Sequence, residues 1–76
     1  MTPSQCRAAR ALTNMTQPKL AESAGLGLST IVDFEKERRS VPQITVNAIR
    51  AALEAAGVEF IAENGGGAGV RLRKSL

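Results

Sequence analysis

The sequence predicts a mainly α-helical fold in which four helices are followed by a C-terminal β-hairpin. Three observations carry this prediction. Apolar residues recur at helical spacing in four segments between residues 2 and 57. Threonine or proline stands at the start of three of these segments, where capping groups and proline are favoured. Beyond Gly57 the apolar period changes to two on either side of a glycine-rich stretch, which is typical of a hairpin.

The first predicted helix starts at Thr2. Pro3 suits the first helical position, and Gln5 completes a capping box with the threonine. The helical pattern fades near Asn14. Its apolar face is expected to consist of Cys6, Ala8, Ala9 and Leu12.

The second predicted helix is short, about eight residues. Thr16 caps it, and Pro18 falls in the first turn, where a missing N–H costs nothing. Gly25 ends it, and the apolar Leu26 in the connector is expected to fill the angle between this helix and the next. The expected buried face is Leu20, Ala21 and Ala24.

Two further helices are predicted over residues 27–36 and 43–56. The third turns Ile31 and Phe34 inward, and a charged loop follows it. Pro42 marks the entry to the fourth, which Gly57 stops. Its apolar stripe is Val46, Ile49, Leu53 and Ala56.

The tail is predicted to form two strands around residues 58–63 and 70–73, joined by a loop at 64–69. The loop lacks the Lys-Ser/Thr ending of a phosphate loop, so a hairpin connection is the better interpretation. Opposite charges can pair across the strands. These are Glu59 and Glu63 on one strand, and Arg71 and Arg73 on the other. Because an isolated hairpin is marginal in water, it must pack on the fourth helix or pair with another chain.

The composition favours a binding protein over an enzyme. The 76 residues suffice for one domain, with a single cysteine, Cys6, and no histidine. That set provides no internal disulfide, no zinc ligands and no histidine-activated nucleophile, so we expect Cys6 to be buried and the chain to have no enzymatic activity, cofactor or metal. Without a long apolar run or a signal region, we expect a cytoplasmic protein with no membrane partner. The net charge of +3 fits a nucleic-acid partner.

Residues 16–35 combine the features of a helix-turn-helix unit. A short capped helix ends in glycine, a three-residue connector holds a leucine, and a second short helix leaves its outer side free. In such units the first helix crosses the DNA backbone and the second lies in the major groove. The pattern therefore predicts DNA binding through the helix at 27–36, with an ordinary four-helix core as the alternative.

The run from Gln17 to Glu35 resembles the Cro/C1-type (XRE family) helix-turn-helix of phage repressors and small bacterial regulators. It follows the pattern Q-x-x-L-A-x-x-x-G-(apolar)-x-x-x-(S/T)-I-x-x-(apolar)-E, and the likeness extends over residues 4–56. The resemblance implies a four-helix, lambda-repressor-like domain at residues 1–57. It also implies a transcriptional regulator that binds double-stranded DNA as a homodimer at paired operator half-sites.

The resemblance further implies roles for individual positions. Base readout is expected from Leu28, Ser29, Thr30 and Asp33. Phosphate contacts are expected from Gln17, Lys19, Lys36, Arg38 and Arg39, with a solvated loop as the alternative for the last three. Arg10 and Glu35 correspond to an internal ion pair, whose role is structural.

Three positions depart from the family pattern. Gly27 stands where a capping Ser or Thr is usual. Leu28 and Val32 are apolar, so they can touch thymine methyl groups but make no bidentate base contact. Two alternatives therefore stay open. One is a protein-interaction module on the same scaffold, such as an antitoxin or partner-binding regulator, and the other is a non-specific DNA coater.

The hairpin at residues 58–76 is a candidate dimerisation element. By strand parity Ile61 falls on the charged outer face, beside an unpaired strand edge. The residues expected at the dimer interface are Phe60, Ile61, Val70 and Leu72. For the basic residues of the second strand, cross-strand pairing and DNA contact are both open. These are Arg71, Arg73 and Lys74.

Overall fold

A computed structural model describes residues 1–73 and contains four α-helices followed by a two-stranded antiparallel hairpin. The elements are α1 (Pro3–Thr13), α2 (Gln17–Ala24), α3 (Leu28–Lys36), α4 (Gln43–Ala55), β1 (Val58–Ile61) and β2 (Gly69–Leu72). The predicted fold class, mainly helical with a C-terminal hairpin, is confirmed, and the elements follow one another in the predicted order. Within the described residues, no helix has both the length and the apolar character needed to cross a membrane.

The helix ends follow the local chemistry that the sequence indicates. The Thr2 hydroxyl accepts from the Gln5 backbone N–H at 3.1 Å, and the Gln5 side-chain oxygen accepts from the Thr2 N–H at 2.8 Å. Thr16 caps α2 by accepting from the Lys19 N–H at 3.2 Å. Gly25 closes α2 in the left-handed conformation, with φ of 69°, where glycine carries no steric penalty.

All four helices and β1 contribute to one hydrophobic core. Its buried members are Cys6, Ala9, Leu20, Ala21, Ile31, Phe34, Val46, Ile49, Leu53 and Val58. Leu26 of the connector is half-buried and packs against this core, as expected. Small alanines on α1 and α2 let these helices approach the core closely, because an Ala adds little bulk to a helix surface.

Four alanine and leucine positions are less buried than the apolar periodicity predicts. On α1, Leu12 is 40% exposed and Ala8 is exposed, whereas the polar Gln5 is buried. Ala56 is exposed because it lies past the last residue of α4. Ala24, in the last turn of α2, is only half-buried.

The hairpin has the expected pairing at its centre and departs from it at both ends. Glu59 lies opposite Arg71, and their side chains approach to 3.2 Å as predicted. The predicted place of Glu63 in the strand is wrong, because β1 ends at Ile61 and the Glu63 carboxylate binds backbone N–H groups of the loop. Arg73 donates to the Glu54 backbone carbonyl at 3.0 Å instead of pairing across the strands. Lys74 lies outside the described residues.

A buried glutamine ties the hairpin to α1. The Gln5 amide nitrogen donates to the backbone carbonyls of Ile61, at 3.2 Å, and Gly69, at 2.9 Å, one on each strand. Together with the cap contact to Thr2, these bonds satisfy both ends of the carboxamide, which is why a polar side chain can be 8% exposed here. The hairpin packs on α1 and α4, so it is not isolated in water.

Candidate nucleic-acid interface

The helix α3 has one buried face and one open face. Ile31, Phe34 and Glu35 point into the protein, and Ile31 is fully buried. On the opposite side Leu28 is 46% exposed and Ser29 is exposed. The remaining outer residues, Thr30, Val32 and Asp33, are half-buried. The helix is thus held firmly from within while a mixed surface of hydroxyl, apolar and acidic groups faces outward.

The buried Glu35 carboxylate holds α3 to α1 and α2. Its oxygens accept from Arg10 through Nε at 2.6 Å and Nη2 at 2.7 Å, so the predicted ion pair is present and bidentate. They also accept from the Cys6 thiol at 3.1 Å and the Gln17 amide at 3.0 Å. The Arg7 guanidinium donates to the Glu35 backbone carbonyl. Three helices are therefore oriented around a single carboxylate.

The hydrogen bonds keep this carboxylate ionised. Burial by itself raises the pKa of Glu35, but the bonds from Arg10, Cys6 and Gln17 outweigh that effect and hold the pKa below its ordinary value. The pKa of Cys6 is raised, first by burial and then by donation to the neighbouring Glu35 anion. Cys6 is fully buried, so it fills space as a thiol, as expected from the sequence.

Gln17 occupies a different place from the one that the sequence suggests. It was expected to donate to phosphate, and the structure directs its side-chain amide to Glu35 while the residue is half-buried. One of its two amide hydrogens is used in this contact, which leaves the other available to a ligand. The two residues are 18 positions apart, and no local pattern signals a contact at that separation.

The segment after α3 is exposed and rich in basic side chains. All residues from 36 to 40 are exposed, including Lys36, Arg38 and Arg39. Arg39 donates through Nε to the Asp33 carboxylate at 2.8 Å, a pair that spans the last turn of α3. Within residues 1–73, Lys36 and Arg38 form no ion pair. The exposed Glu37 lies between them, so residues 36–40, with three basic residues and one acidic residue, have a formal net charge of +2 next to the outer face of α3.

Two more predicted contacts lie at the ends of α2 and α3. Lys19, in the first turn of α2, is exposed and 3.7 Å from Glu22, a distance too long to immobilise either side chain. Gly27 precedes α3 and has no side chain that could accept from the backbone N–H groups of the first turn. The Ser29 and Thr30 side-chain hydroxyls lie in this turn, where Ser29 is exposed and Thr30 is half-buried. Both hydroxyls remain able to donate or accept toward a ligand.

A scan against protein-family models and a search of curated proteins found no match to this chain.

Proposed function

We propose that this chain is a sequence-specific DNA-binding transcriptional regulator of the Cro/C1-type helix-turn-helix class. In this proposal α2 and α3 form the helix-turn-helix, and α3 enters the major groove of duplex DNA. One observation carries the proposal above the others: the outer face of α3 is uncovered and continues directly into the exposed basic segment at residues 36–40. An exposed helix face beside a segment of net positive charge is what duplex recognition requires.

The exposed residues divide into groups that read bases and groups that bind phosphates. Ser29 and Thr30 offer hydroxyls to base edges, and Leu28 fits a thymine methyl group. Lys36 and Arg38 neutralise phosphates on the flanking backbone, a contact that carries no sequence information. At the start of α2, Lys19 and the remaining amide hydrogen of Gln17 are the proposed further contacts to phosphates.

The pair between Asp33 and Arg39 adjusts the charge of the outer face. An unpaired carboxylate in the major groove repels phosphates, but Arg39 at 2.8 Å compensates it. The paired Asp33 can still accept from a cytosine amine through its remaining lone pairs. The pair also fixes the guanidinium against α3, so Arg39 contributes less to phosphate binding than Arg38.

The proposed test measures affinity for the DNA upstream of the gene against a scrambled duplex, between about 50 and 200 mM salt. We expect the upstream duplex to bind more tightly, and affinity for both to fall steeply with salt. Arg38→Ala should weaken both duplexes equally and reduce the salt slope by about one. Ser29→Ala should weaken the upstream duplex alone, by about 1 kcal/mol.

Arg50→Ala is the matched control for Arg38→Ala. Arg50 is exposed on α4, where it lies 5.2 Å from the centre of the Phe60 ring on the hairpin. Its removal takes away the same charge at a different surface and should leave DNA affinity nearly unchanged. The proposal fails if neither duplex binds, or if the two arginine variants weaken binding equally.

We further propose a homodimer formed through the hairpin, because paired half-sites require a two-fold protein. Phe60 and Val70 pack partly against their own core, which leaves Leu72, 50% exposed, as the better candidate contact. Ile61 is half-buried and lies across Gly69 on the outer face. Strand edges that carry unpaired backbone groups favour pairing with a second chain.

Light scattering of two leucine variants tests the dimer. Leu72→Glu should give a monomer, whereas Leu12→Glu, at a similarly exposed leucine on α1, should leave the dimer intact. Point variants are preferable to deletion of the hairpin, since deletion would also uncover the buried Val58. A monomeric wild-type protein at micromolar concentration, or a dimer that persists in Leu72→Glu, would contradict this part of the proposal.

A protein-interaction module is the second candidate, and the apolar character of the outer face favours it. Leu28 is 46% exposed and Ile44, at the start of α4, is 79% exposed. If this candidate is right, the upstream duplex has no advantage over the scrambled one. Leu28→Glu should then abolish copurification with the product of a neighbouring small reading frame, while Arg38→Ala leaves it unchanged.

A further inference from the structure

We propose that Asn64 is a self-modification site, at which the hairpin loop promotes loss of the side-chain amide through attack by the Gly65 backbone nitrogen. The proposal is independent of DNA binding. It starts from the sequence Asn64-Gly65 in an exposed loop, where the residue after the asparagine has no side chain to obstruct ring closure. Gly65 is exposed, so the peptide is also open to water.

The loop places a base on the attacking nitrogen. The Glu63 carboxylate oxygen Oε1 accepts from the Gly65 N–H at 2.7 Å and from the Gly67 N–H at 3.0 Å. These bonds lower the pKa of Glu63, first that from Gly67 and then that from Gly65, so the group is a carboxylate at neutral pH. Hydrogen-bond contact with the proton to be removed is the geometric requirement for a general base.

The loop also polarises the carbon that is attacked. The Asn64 side-chain oxygen accepts from the Gly66 N–H at 3.1 Å, an arrangement that folds the side chain back over its own following peptide. The same N–H can stabilise the negative charge that develops on this oxygen as the tetrahedral intermediate forms. The base, the attacked carbon, the nucleophile and the oxyanion donor thus come, in that order, from the four consecutive residues 63–66.

The chemistry requires only water as a further reactant. Glu63 removes the Gly65 N–H proton as the nitrogen forms a bond to Cγ of Asn64, which gives a tetrahedral intermediate with its negative charge on the side-chain oxygen. The C=O double bond then re-forms as the bond from Cγ to the side-chain nitrogen breaks. The side-chain nitrogen leaves as ammonia with the proton that Glu63 took up, and a five-membered succinimide remains. Water then opens the ring at either carbonyl to give aspartate or isoaspartate. The product has a second carboxylate beside Glu63 and lowers the formal net charge of +3 by one.

The test follows amide loss by peptide mapping of the whole protein, incubated at neutral pH either folded or in concentrated urea. Loss at Asn64 adds a single mass unit and should be several-fold faster in the folded protein. Asn14, followed by Met15, and Asn47, inside α4, serve as internal controls and should stay unmodified. Equal or slower loss from Asn64 in the folded state would overturn the proposal, because the loop would then protect the amide.

Glu63→Gln is the decisive variant. The glutamine oxygen can still accept from both glycine N–H groups, so the loop is retained while the basic charge is removed. We expect the folded variant to lose most of the several-fold advantage that the wild type shows over its rate in urea, because the Gly66 N–H still contacts the Asn64 oxygen but no carboxylate contacts the Gly65 N–H. The quantity compared is the ratio of the folded to the unfolded rate in each protein. Any effect of the substitution on the intrinsic reactivity of Asn64 therefore cancels in this ratio. An unchanged advantage in the variant would show that Glu63 is not the base.

Discussion

α3 and the hairpin are each connected to α1 by the hydrogen bonds of one buried polar side chain. We call these two connections ties: the tie of α3 is the charged Glu35, and the tie of the hairpin is the neutral Gln5. Glu35 binds α3 to α1 through a carboxylate that is 1% exposed and receives hydrogen bonds from three side chains. Gln5 binds the hairpin through a carboxamide shared between two backbone carbonyls. The difference indicates that the geometry of α3, the proposed reading helix, is enforced more strictly than that of the hairpin.

The two ties also differ in what happens when one partner is lost. A buried ion pair contributes little net stability against an apolar substitute, yet breaking it leaves an uncompensated charge in the interior. A neutral amide leaves only unsatisfied dipoles, and the hairpin carbonyls keep each other's N–H groups as partners, because Ile61 and Gly69 are opposite in the ladder. The comparison therefore predicts a global response at Glu35 and a local one at Gln5.

The largest effect is expected from Glu35→Ala. This substitution leaves the Arg10 charge without its counter-ion and removes the hydrogen-bond acceptor of Cys6 and Gln17. The unfolding free energy should fall by about 3–5 kcal/mol. For a domain of this length the total is roughly 4–11 kcal/mol, so the variant should lose a large fraction of its stability. Urea denaturation measures it. Glu59→Ala, which breaks an exposed pair on the hairpin, should cost at most about 1 kcal/mol, and an equal loss in both variants would remove the distinction.

Gln5→Leu should give the next largest effect, confined to the hairpin. Loss of the bonds to Ile61 and Gly69 should cost about 1–3 kcal/mol. Hydrogen exchange should show faster opening of β1 and β2, while amides of α2 and α3 keep their protection. Gln43→Leu, at an exposed glutamine of α4, is the control and should change stability by about 0.5 kcal/mol or less. Equal loss of protection in α3 would mean that helices and hairpin open as one unit.

Acid should weaken the charged tie and leave the neutral one unaffected. The pKa of Glu35 is lower in the folded protein than in the unfolded chain, so its stabilisation is complete above the unfolded value near 4.5. That stabilisation disappears as pH falls through the folded value. Unfolding free energy should therefore drop below about pH 4.5, with Glu35 contributing at most about 1.4 kcal/mol per pH unit. In Glu35→Gln this part of the slope should be absent, and an unchanged slope would assign the acid sensitivity to other groups.

Sequence patterns gave good predictions where the determinant is local. The capping threonines, Gly25 and the prolines are recognised within a few residues, so the helices were placed to within about two residues of their ends. The change of period after Gly57 likewise identified the hairpin. On α1, Cys6 and Ala9 are buried as predicted and Ala8 and Leu12 are not. Hydrophobic periodicity also does not anticipate a buried Gln5 with partners 56 and 64 residues away.

Of the contacts around the candidate site, the Arg10–Glu35 ion pair was expected and the others were not. The Arg10–Glu35 pair was expected from the resemblance alone, since nothing local relates residues 25 positions apart. The tie between Gln17 and Glu35 and the pairing of Asp33 with Arg39 were not anticipated. Side chains of that length have several partners within reach, and only the packed arrangement of the helices selects one.

The smallest effect concerns the end of α3, two residues beyond its charged tie. Glu37 closes the helix in the left-handed conformation, with φ of 55°, which is uncommon for a residue with a long side chain. Its negative charge also lies at the unfavourable end of the helix dipole. Glu37→Gly should relieve the steric penalty and raise the unfolding free energy by about 0.5–1 kcal/mol.

Asn14 supplies the matched comparison for Glu37. It closes α1 in the same conformation, with φ of 54°, but asparagine tolerates this region better than glutamate. Asn14→Gly should therefore stabilise the protein less than Glu37→Gly in the same urea titration. Equal gains would mean that conformational strain, and not the charge or bulk of Glu37, sets the energy of both helix ends. A loss in Glu37→Gly would mean that its side chain supports the end of α3, so that the geometry of this helix is not set by Glu35 alone.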